Sequence, residues 1–216
     1  MKPIVKTITC PKCGKKQYFT MYPSINASSH PGLAEKYLTG GLTTLTCEKC
    51  GFAGNIEYPM LYSDLKKKFS VFFAPDRDDR EAKLMNVLPA HLLPGMQLRL
   101  VHSADDLREK IFIFRDHLDD RIVETEKDSI LREMGVRHEQ PFPENLYYAQ
   151  DLFSCEGRSL IFVPKRGDAY LEPIKTPFET YEKIKMLMHD IWERPVEDYT
   201  VVDSTWVQAA SLGEHA

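Results

Sequence analysis

Cys10 and Cys13 stand in the run T-C-P-K-C-G-K, and Cys47 and Cys50 in T-C-E-K-C-G-F. Two residues between paired cysteines let both sulfurs meet one metal ion, and two such pairs complete a tetrahedral four-thiolate site. Glycine follows each pair, Gly14 and Gly51. At a positive φ it lets backbone N–H groups turn toward the sulfurs and soften their charge. The pattern predicts one structural Zn²⁺ held by Cys10, Cys13, Cys47 and Cys50. A catalytic zinc keeps one coordination position open, and four cysteines leave none. A C-P-x-C pair can also run thiol–disulfide chemistry, but that normally needs a helix N-terminus within a βαβ unit. The β-like flanks and the second matching pair argue against it.

Other chemically capable residues carry less. His30 lies between the two cysteine pairs and is expected at a helix cap or on the surface. Asp116, Asp120 and Glu124 are four apart, with His117 and Asp119 beside them. Such carboxylates can do acid–base work. With Arg115 and Arg121 interspersed they read more simply as a solvated helix face. Cys155 has no histidine placed near it and reads as a strand-end thiol. His189 reads as structural. No phosphate-binding loop, dinucleotide fingerprint, G-x-S-x-G or H-E-x-x-H is present.

The elements that must position the cysteines are short. Ile4–Thr9 has β character and leads into the first pair, and Gln17–Tyr22 returns from it. Leu42–Thr46 leads into the second pair, and Asn55–Tyr58 leaves it. The insert between the pairs reads as a helix from Pro31 through Leu33, Ala34, Tyr37 and Leu38, ended by Gly40 and Gly41. Phe69–Phe73 and Met96–His102 read as further strands, with a charged connection at 76–81 and an irregular stretch around Pro89 and Pro94 between them. Ser103 with Asp106 resembles a helix start. Leu107, Ile111, Phe114, Leu118 and Ile122 then form one stripe. With Ile130, Leu131 and Met134 the pattern predicts a single helix to Gly135, about 45 Å long at 1.5 Å per residue. Leu146–Phe153 and Ser159–Val163 read as a hairpin around Glu156 and Gly157. Thr176, Pro177 and Glu179 form a capping box for a helix whose buried stripe is Tyr181, Ile184, Leu187 or Met188, and Ile191, stopped by Pro195. Trp206 reads as a core anchor near the end of the sequence.

Composition bounds the class. The 216 residues carry a formal charge of −4, with 43% hydrophobic and 28% charged side chains, as ordinary soluble domains do. No apolar run approaches the ~20 residues of a membrane-spanning helix, the N-terminus lacks signal-peptide character, and five cysteines with four in metal spacing fit a reducing compartment. A cytoplasmic protein with no membrane partner is expected. Charge is uneven: residues 1–70 hold ten lysines, no arginine and four acidic residues, a net of +6. The remainder holds 18 basic and 28 acidic residues, a net of −10. Lys66-Lys67-Lys68 is the densest basic point.

The order C-P-x-C-G, S-I-N, H-P-G-L-A-E-K-Y-L-T-G-G-L, C-x-x-C-G and Y-P-M-L-Y-S-D resembles the bacterial and archaeal CPXC-domain family, named for its first knuckle. The stretch from Leu98 to Glu124 is similar to the helical part that accompanies that domain. The resemblance spans roughly the first 130 residues. It implies Cys10, Cys13, Cys47 and Cys50 as the zinc ligands. Glu48 stands where proline is commoner. No biochemical activity is assigned to the family, so the resemblance carries fold and metal but no reaction.

The reading is an α+β protein: an N-terminal four-cysteine zinc ribbon with a helical insertion, followed by a helix-rich α+β body. Its expected divisions are a ribbon at 1–75, a connector with strand and long helix at 76–135, and an α+β region at 136–216. The expected function is non-enzymatic, a protein–protein interaction or adaptor module with structural zinc. The alternatives are a nucleic-acid-binding regulator using the basic ribbon with Tyr18, Phe19 and Tyr22 as stacking groups, and a thiol-redox or zinc sensor. The long helix also suggests a homodimer.

Overall fold

The computed structural model describes residues 2–76, 95–138, 140–154, 157–189 and 199–212. The charged connection at 77–81, the stretch around Pro89 and Pro94, Cys155, Ile191 and Pro195 lie outside them. The architecture mixes helix and sheet, and the chain divides into two compact units, Met1–Ala104 and Asp105–Ala216.

In the first unit, β1 (Ile4–Thr9) and β2 (Lys16–Met21) pair antiparallel, Thr9 opposite Lys16, with the first cysteine pair in the turn. Strand β3 (Ser24–Asn26) follows, then α1 (Pro31–Leu38). Gly40 at φ 78 closes α1: its N–H reaches the Tyr37 carbonyl and that of Gly41 reaches Lys36. This double return bond satisfies carbonyls left open at a helix end, and glycine tolerates the left-handed turn it needs. Strands β4 (Thr44–Thr46) and β5 (Ala53–Asn55) form the second hairpin around the second cysteine pair. Strands β6 (Met60–Asp64), β7 (Phe69–Phe73) and β8 (Gln97–Val101) join β3 in a sheet of order β3-β6-β7-β8. Its outer pairs are parallel and its central pair antiparallel. Ile25, Met60, Tyr62, Phe69 and Val71 are its buried core. Strands β3 and β6 escaped the sequence reading. Buried Met60, Tyr62 and Ser63 do not alternate cleanly with exposed neighbours, so the period-two signal is missing.

The second unit starts with α2 (Ala104–Arg115) and α3 (Asp120–Val136). These replace the single long helix expected over 104–135. The stripe is correct, since Leu107, Ile111, Phe114, Leu118 and Ile122 are all buried. The chain nevertheless turns at 116–119. His117 takes φ 60; its N–H returns to the Phe114 carbonyl, and that of Leu118 returns to Ile113. That is a helix-terminating motif closed without glycine, with Leu118 and Ile113 both buried beneath it. Asp119 then caps α3, its Oδ1 accepting from the Arg121 N–H at 3.0 Å. The homodimer expectation loses its geometric basis with the long helix.

A sheet of order β11-β10-β12, with β9 also paired to β10, completes this unit. Strands β9 (Asn145–Ser154) and β10 (Gly157–Arg166) realise the expected hairpin. Strands β11 (Ala169–Tyr170) and β12 (Ile174–Pro177) follow it. Helix α4 (Phe178–Leu187) begins one residue later than expected: Pro177 is the N-cap position and no side chain caps it. Thr176 instead belongs to β12 and donates to Glu126 Oε1 at 2.5 Å. On α4 Tyr181 is buried and Ile184 half-buried, and of the two alternatives at the next turn Met188 is half-buried while Leu187 is 84% exposed. Helix α5 (Ser204–Ser211) buries Val207, while Trp206 is only partly covered.

Candidate metal centre

The two hairpins build matching knuckles. In the first, the Cys10 N–H donates to the Lys15 carbonyl at 2.8 Å and the Gly14 N–H to the Cys10 carbonyl at 2.9 Å. In the second, Cys47 N–H donates to Phe52 at 2.7 Å and Gly51 N–H to Cys47 at 2.9 Å. Gly14 and Gly51 take φ 70 and φ 69. One backbone path thus presents both cysteine pairs, as the shared C-x-x-C-G spacing dictates.

The four sulfurs lie within 4.8 Å of one another. Cys10 Sγ is 3.7 Å from Cys50 Sγ, and Cys13 Sγ is 3.6 Å from Cys47 Sγ, so the close contacts run between knuckles. These separations exceed an S–S bond by far, and the four cysteines are free. A tetrahedron with metal–sulfur bonds of about 2.3 Å has edges of about 3.8 Å. The residues present therefore fit a tetrahedral ion and can hold one, with no fifth protein group needed. Cys10 and Cys47 are buried; Cys13 and Cys50 are half-buried.

Electrostatics favour a cation at the centre. Backbone N–H groups of Cys50 and Lys49 lower the Cys47 thiol to about 6. Cys50 is raised to about 11: the Phe52 N–H favours its thiolate, but burial and the three neighbouring sulfurs outweigh that. Four sulfurs this close cannot all be anionic unless a cation neutralises them.

Side chains also tie the knuckles together. Gln17 donates through Nε2 to the Thr46 carbonyl at 2.9 Å and accepts through Oε1 from the Glu48 N–H at 3.3 Å. Lys15 Nζ meets Glu48 Oε2 at 2.8 Å. The Lys15 ammonium holds the Glu48 carboxyl below its ordinary range, and Glu48 raises Lys15 in return. Sequence reasoning missed Gln17. Its signal was the departure at Glu48, since a proline there offers neither N–H nor carboxylate.

The remaining candidates sit elsewhere. His30 is exposed at the N-cap position of α1 and makes no side-chain capping bond. The carboxylates do not form the expected solvated face. Asp120 and Glu124 are buried in the second unit, in a cluster with Glu109, Lys110 and Lys127. Lys110 Nζ lies 3.1 Å from Asp120 Oδ2 and 2.9 Å from Glu124 Oε1, and donates to the Val202 carbonyl at 2.7 Å. Lys127 Nζ reaches both Glu109 oxygens at 2.9 Å and Glu124 Oε2 at 3.0 Å. Burial opposes every charge here, but the carboxylates hold both ammoniums above their ordinary values and the lysines hold Glu124 below its own. Three carboxylates share two ammoniums. Glu109, which burial pushes up to about 7, is the odd one out. The cluster's charges are held chiefly by one another.

Fold and site together define a mixed α+β protein with a four-cysteine centre, built on paired knuckles, that can hold a metal ion. Residues 8–127 match the family model described as CpXC protein, more than half of the chain, and the chain belongs to the CpXC family. No curated protein and no solved structure matches it significantly. Among the described residues, no helix is long and apolar enough to cross a membrane.

Proposed function

We propose that the chain is a zinc-binding, non-enzymatic protein-interaction module, in which one Zn²⁺ is structural and the first hairpin presents the docking face. The closed sulfur tetrad carries this reading. Four protein thiolates fill a tetrahedral ion's coordination, leaving no position for substrate or reactive water. Zinc or iron suits such a set; zinc suits one whose role is to lock two hairpins too small to form a core alone.

The face of β1 and β2 away from buried Phe19 supports the docking role. Val5, Thr7, Thr9, Lys16, Tyr18 and Thr20 share that face through their cross-strand register and are all exposed. Val5 is 59% and Tyr18 81% exposed. A largely β-branched strip around one aromatic, with Lys16 at its end, suits a protein surface, where tyrosine is a frequent anchor. The direct test captures partners from the native host with zinc-loaded wild type and with Val5→Asp/Tyr18→Asp. A stoichiometric protein retained by wild type and lost in the variant is expected. A partner that ignores both substitutions refutes this face, and recovery of none counts against the module.

Tyr18 also favours a second reading, single-stranded nucleic acid stacked on its ring and held by Lys12, Lys16 and the Lys66–Lys68 turn. A titration against single-stranded DNA, duplex DNA and RNA over a range of salt separates the two. Binding that weakens with salt and is lost in a Lys66→Glu/Lys67→Glu/Lys68→Glu variant supports nucleic acid. No binding at low salt removes it.

A further inference from the structure

The second unit contains a cavity of about 290 Å³ between α2 and the sheet. Its walls follow from periodicity. Asp105, Arg108, Glu109 and Phe112 are three and four apart, so one face of α2 lines it. Tyr147 and Ala149 are two apart on β9, and Val163 stands opposite Tyr147 on β10, so these three line the facing side. Tyr170 on β11 adds a third aromatic wall. Mostly apolar walls with a few polar groups are what ligand sites have, and the volume is at the lower limit of their usual range.

The charged groups around the cavity differ in how well they are satisfied. Asp105 Oδ2 accepts from Lys165 Nζ at 2.6 Å. Glu109 is consumed by Lys127 and by the Tyr148 N–H at 2.6 Å. Arg108 is not matched in this way. Its Nη1 lies 3.5 Å from Asp105 Oδ1, too far for a strong charge-assisted bond. Its Nε is buried and finds no hydrogen-bond partner among the described residues. Leaving a buried charged donor unmet is costly, and a guanidinium fork is shaped to receive a carboxylate through two parallel bonds.

The rings decide the sign of the ligand. Aromatic walls can cage a cation. Here each ring already has a protein cation near it: Arg115 at 4.9 Å from the Phe112 centroid, Lys127 at 5.8 Å from Tyr147 and Lys165 at 5.4 Å from Tyr170. Asp105 and Glu109 also line the cavity but are held by Lys165 and Lys127, so Arg108 is the charge left to meet a ligand, and an anion suits it.

We propose that this cavity is a binding site for a small monocarboxylate with an aromatic or branched apolar body, its carboxylate on Arg108 and its body between Phe112, Tyr147 and Val163. The site is independent of the metal centre. The test uses the full-length, metal-loaded chain and three probes of one shape and different charge: phenylacetate, phenylacetamide and phenethylammonium, with isovalerate as a second acid. Calorimetry and ligand-observed NMR are expected to show saturable binding of an acid, at least tenfold tighter than the amide, and none of the ammonium. Arg108→Gln keeps length and polarity. It is expected to weaken the acid about tenfold or more, in line with loss of a charged hydrogen bond, and to erase the preference over the amide. Unchanged metal content and unfolding midpoint show that this variant is folded. Ala149→Leu narrows the cavity from the sheet side without touching Arg108 and is expected to weaken acid and amide alike. No saturable binding of either acid up to 10 mM, equal affinity for acid and amide, or undiminished affinity in Arg108→Gln overturns the proposal.

Discussion

The two units solve one problem in opposite ways. Each collects groups that cannot share a small volume while carrying like charge. The first unit gathers four sulfurs within 4.8 Å and, among the described residues, seats no buried lysine or arginine against them. The second gathers three buried carboxylates and seats two buried lysines among them. One centre can be completed by an ion from outside, and the other is completed from within. The first unit's stability should therefore follow metal supply, and the second unit's should follow pH and side-chain composition.

Chelation should separate the two units most strongly. Structural zinc is worth about 10–16 kcal/mol to small metal-folded units. Removing it, or making Cys10→Ser, is expected to open both hairpins while leaving the second unit protected. Hydrogen exchange read unit by unit, alongside metal content per chain, checks this. One metal per wild-type chain and a selective loss of protection within Met1–Ala104 are expected. Equal loss in both units would mean that the metal supports the whole chain.

The second unit should be indifferent to chelator and intolerant of a lost partner. Lys110→Met removes a buried ammonium that both Asp120 and Glu124 contact. Removing one member of a buried ion pair costs about 3–5 kcal/mol. Urea unfolding should show that loss, and Lys110→Met combined with Asp120→Asn and Glu124→Leu should recover part of it because the two buried carboxylate charges are gone. If the single substitution is as stable as wild type, the cluster does not hold the second unit together.

Dependence on pH has a further source outside the cluster, the carboxyl of Glu126. Burial pushes it up to about 7, although Thr176 donates a bond that favours the charged form. Its other oxygen is buried without a partner among the described residues. The folded carboxyl binds its proton more tightly than the unfolded one, so the native state holds more protons between the two pKa values and stability falls as pH rises. The contribution is full below an ordinary value of 4.5 and is lost as pH passes about 7. A shift of this size is worth on the order of 3 kcal/mol. Glu126→Gln keeps the acceptor for Thr176 and removes the titration. Wild type should lose ground to it steadily from pH 5 to pH 8 in urea midpoints. A constant difference across that range would show that Glu126 does not take up a proton on folding.

The sequence was most informative where one residue type can do one job. C-x-x-C-G twice is enough to specify two knuckles, and Gly40 after Leu38 is enough to end α1. It was least informative where tertiary contact decides. His117 in the left-handed region looks like any helical histidine beside a hydrophobic stripe, because the stripe continues through the turn on Leu118. Asp120 and Glu124 look solvated because their partners Lys110 and Lys127 are separated from them by the turn or lie among other charges. Leu187 looks buried because periodicity marks a face without saying whether anything packs on it. Gln17 and Glu48 were visible only as a departure from the proline at the matching position.

That departure gives the finest form of the comparison, between the two knuckles rather than the two units. Pro11 and Glu48 occupy matching positions after the first cysteine of each pair. Pro11 shows that the knuckle backbone accepts proline there. Glu48→Pro should therefore fold and hold metal, while losing the N–H bond to Gln17 and the contact with Lys15. Glu48→Ala keeps the N–H and loses only the exposed carboxylate. Gln17→Ala removes both of the bonds that Gln17 makes between the hairpins and leaves the Lys15–Glu48 pair. Each net hydrogen bond is worth about 1 kcal/mol, so Glu48→Pro and Gln17→Ala should each cost that order of stability, and Glu48→Ala less. The double variant Gln17→Ala/Glu48→Pro should cost less than the sum, since both changes remove one shared bond. Additive losses in metal-loaded unfolding would mean that Gln17 and Glu48 act separately rather than through one shared bond.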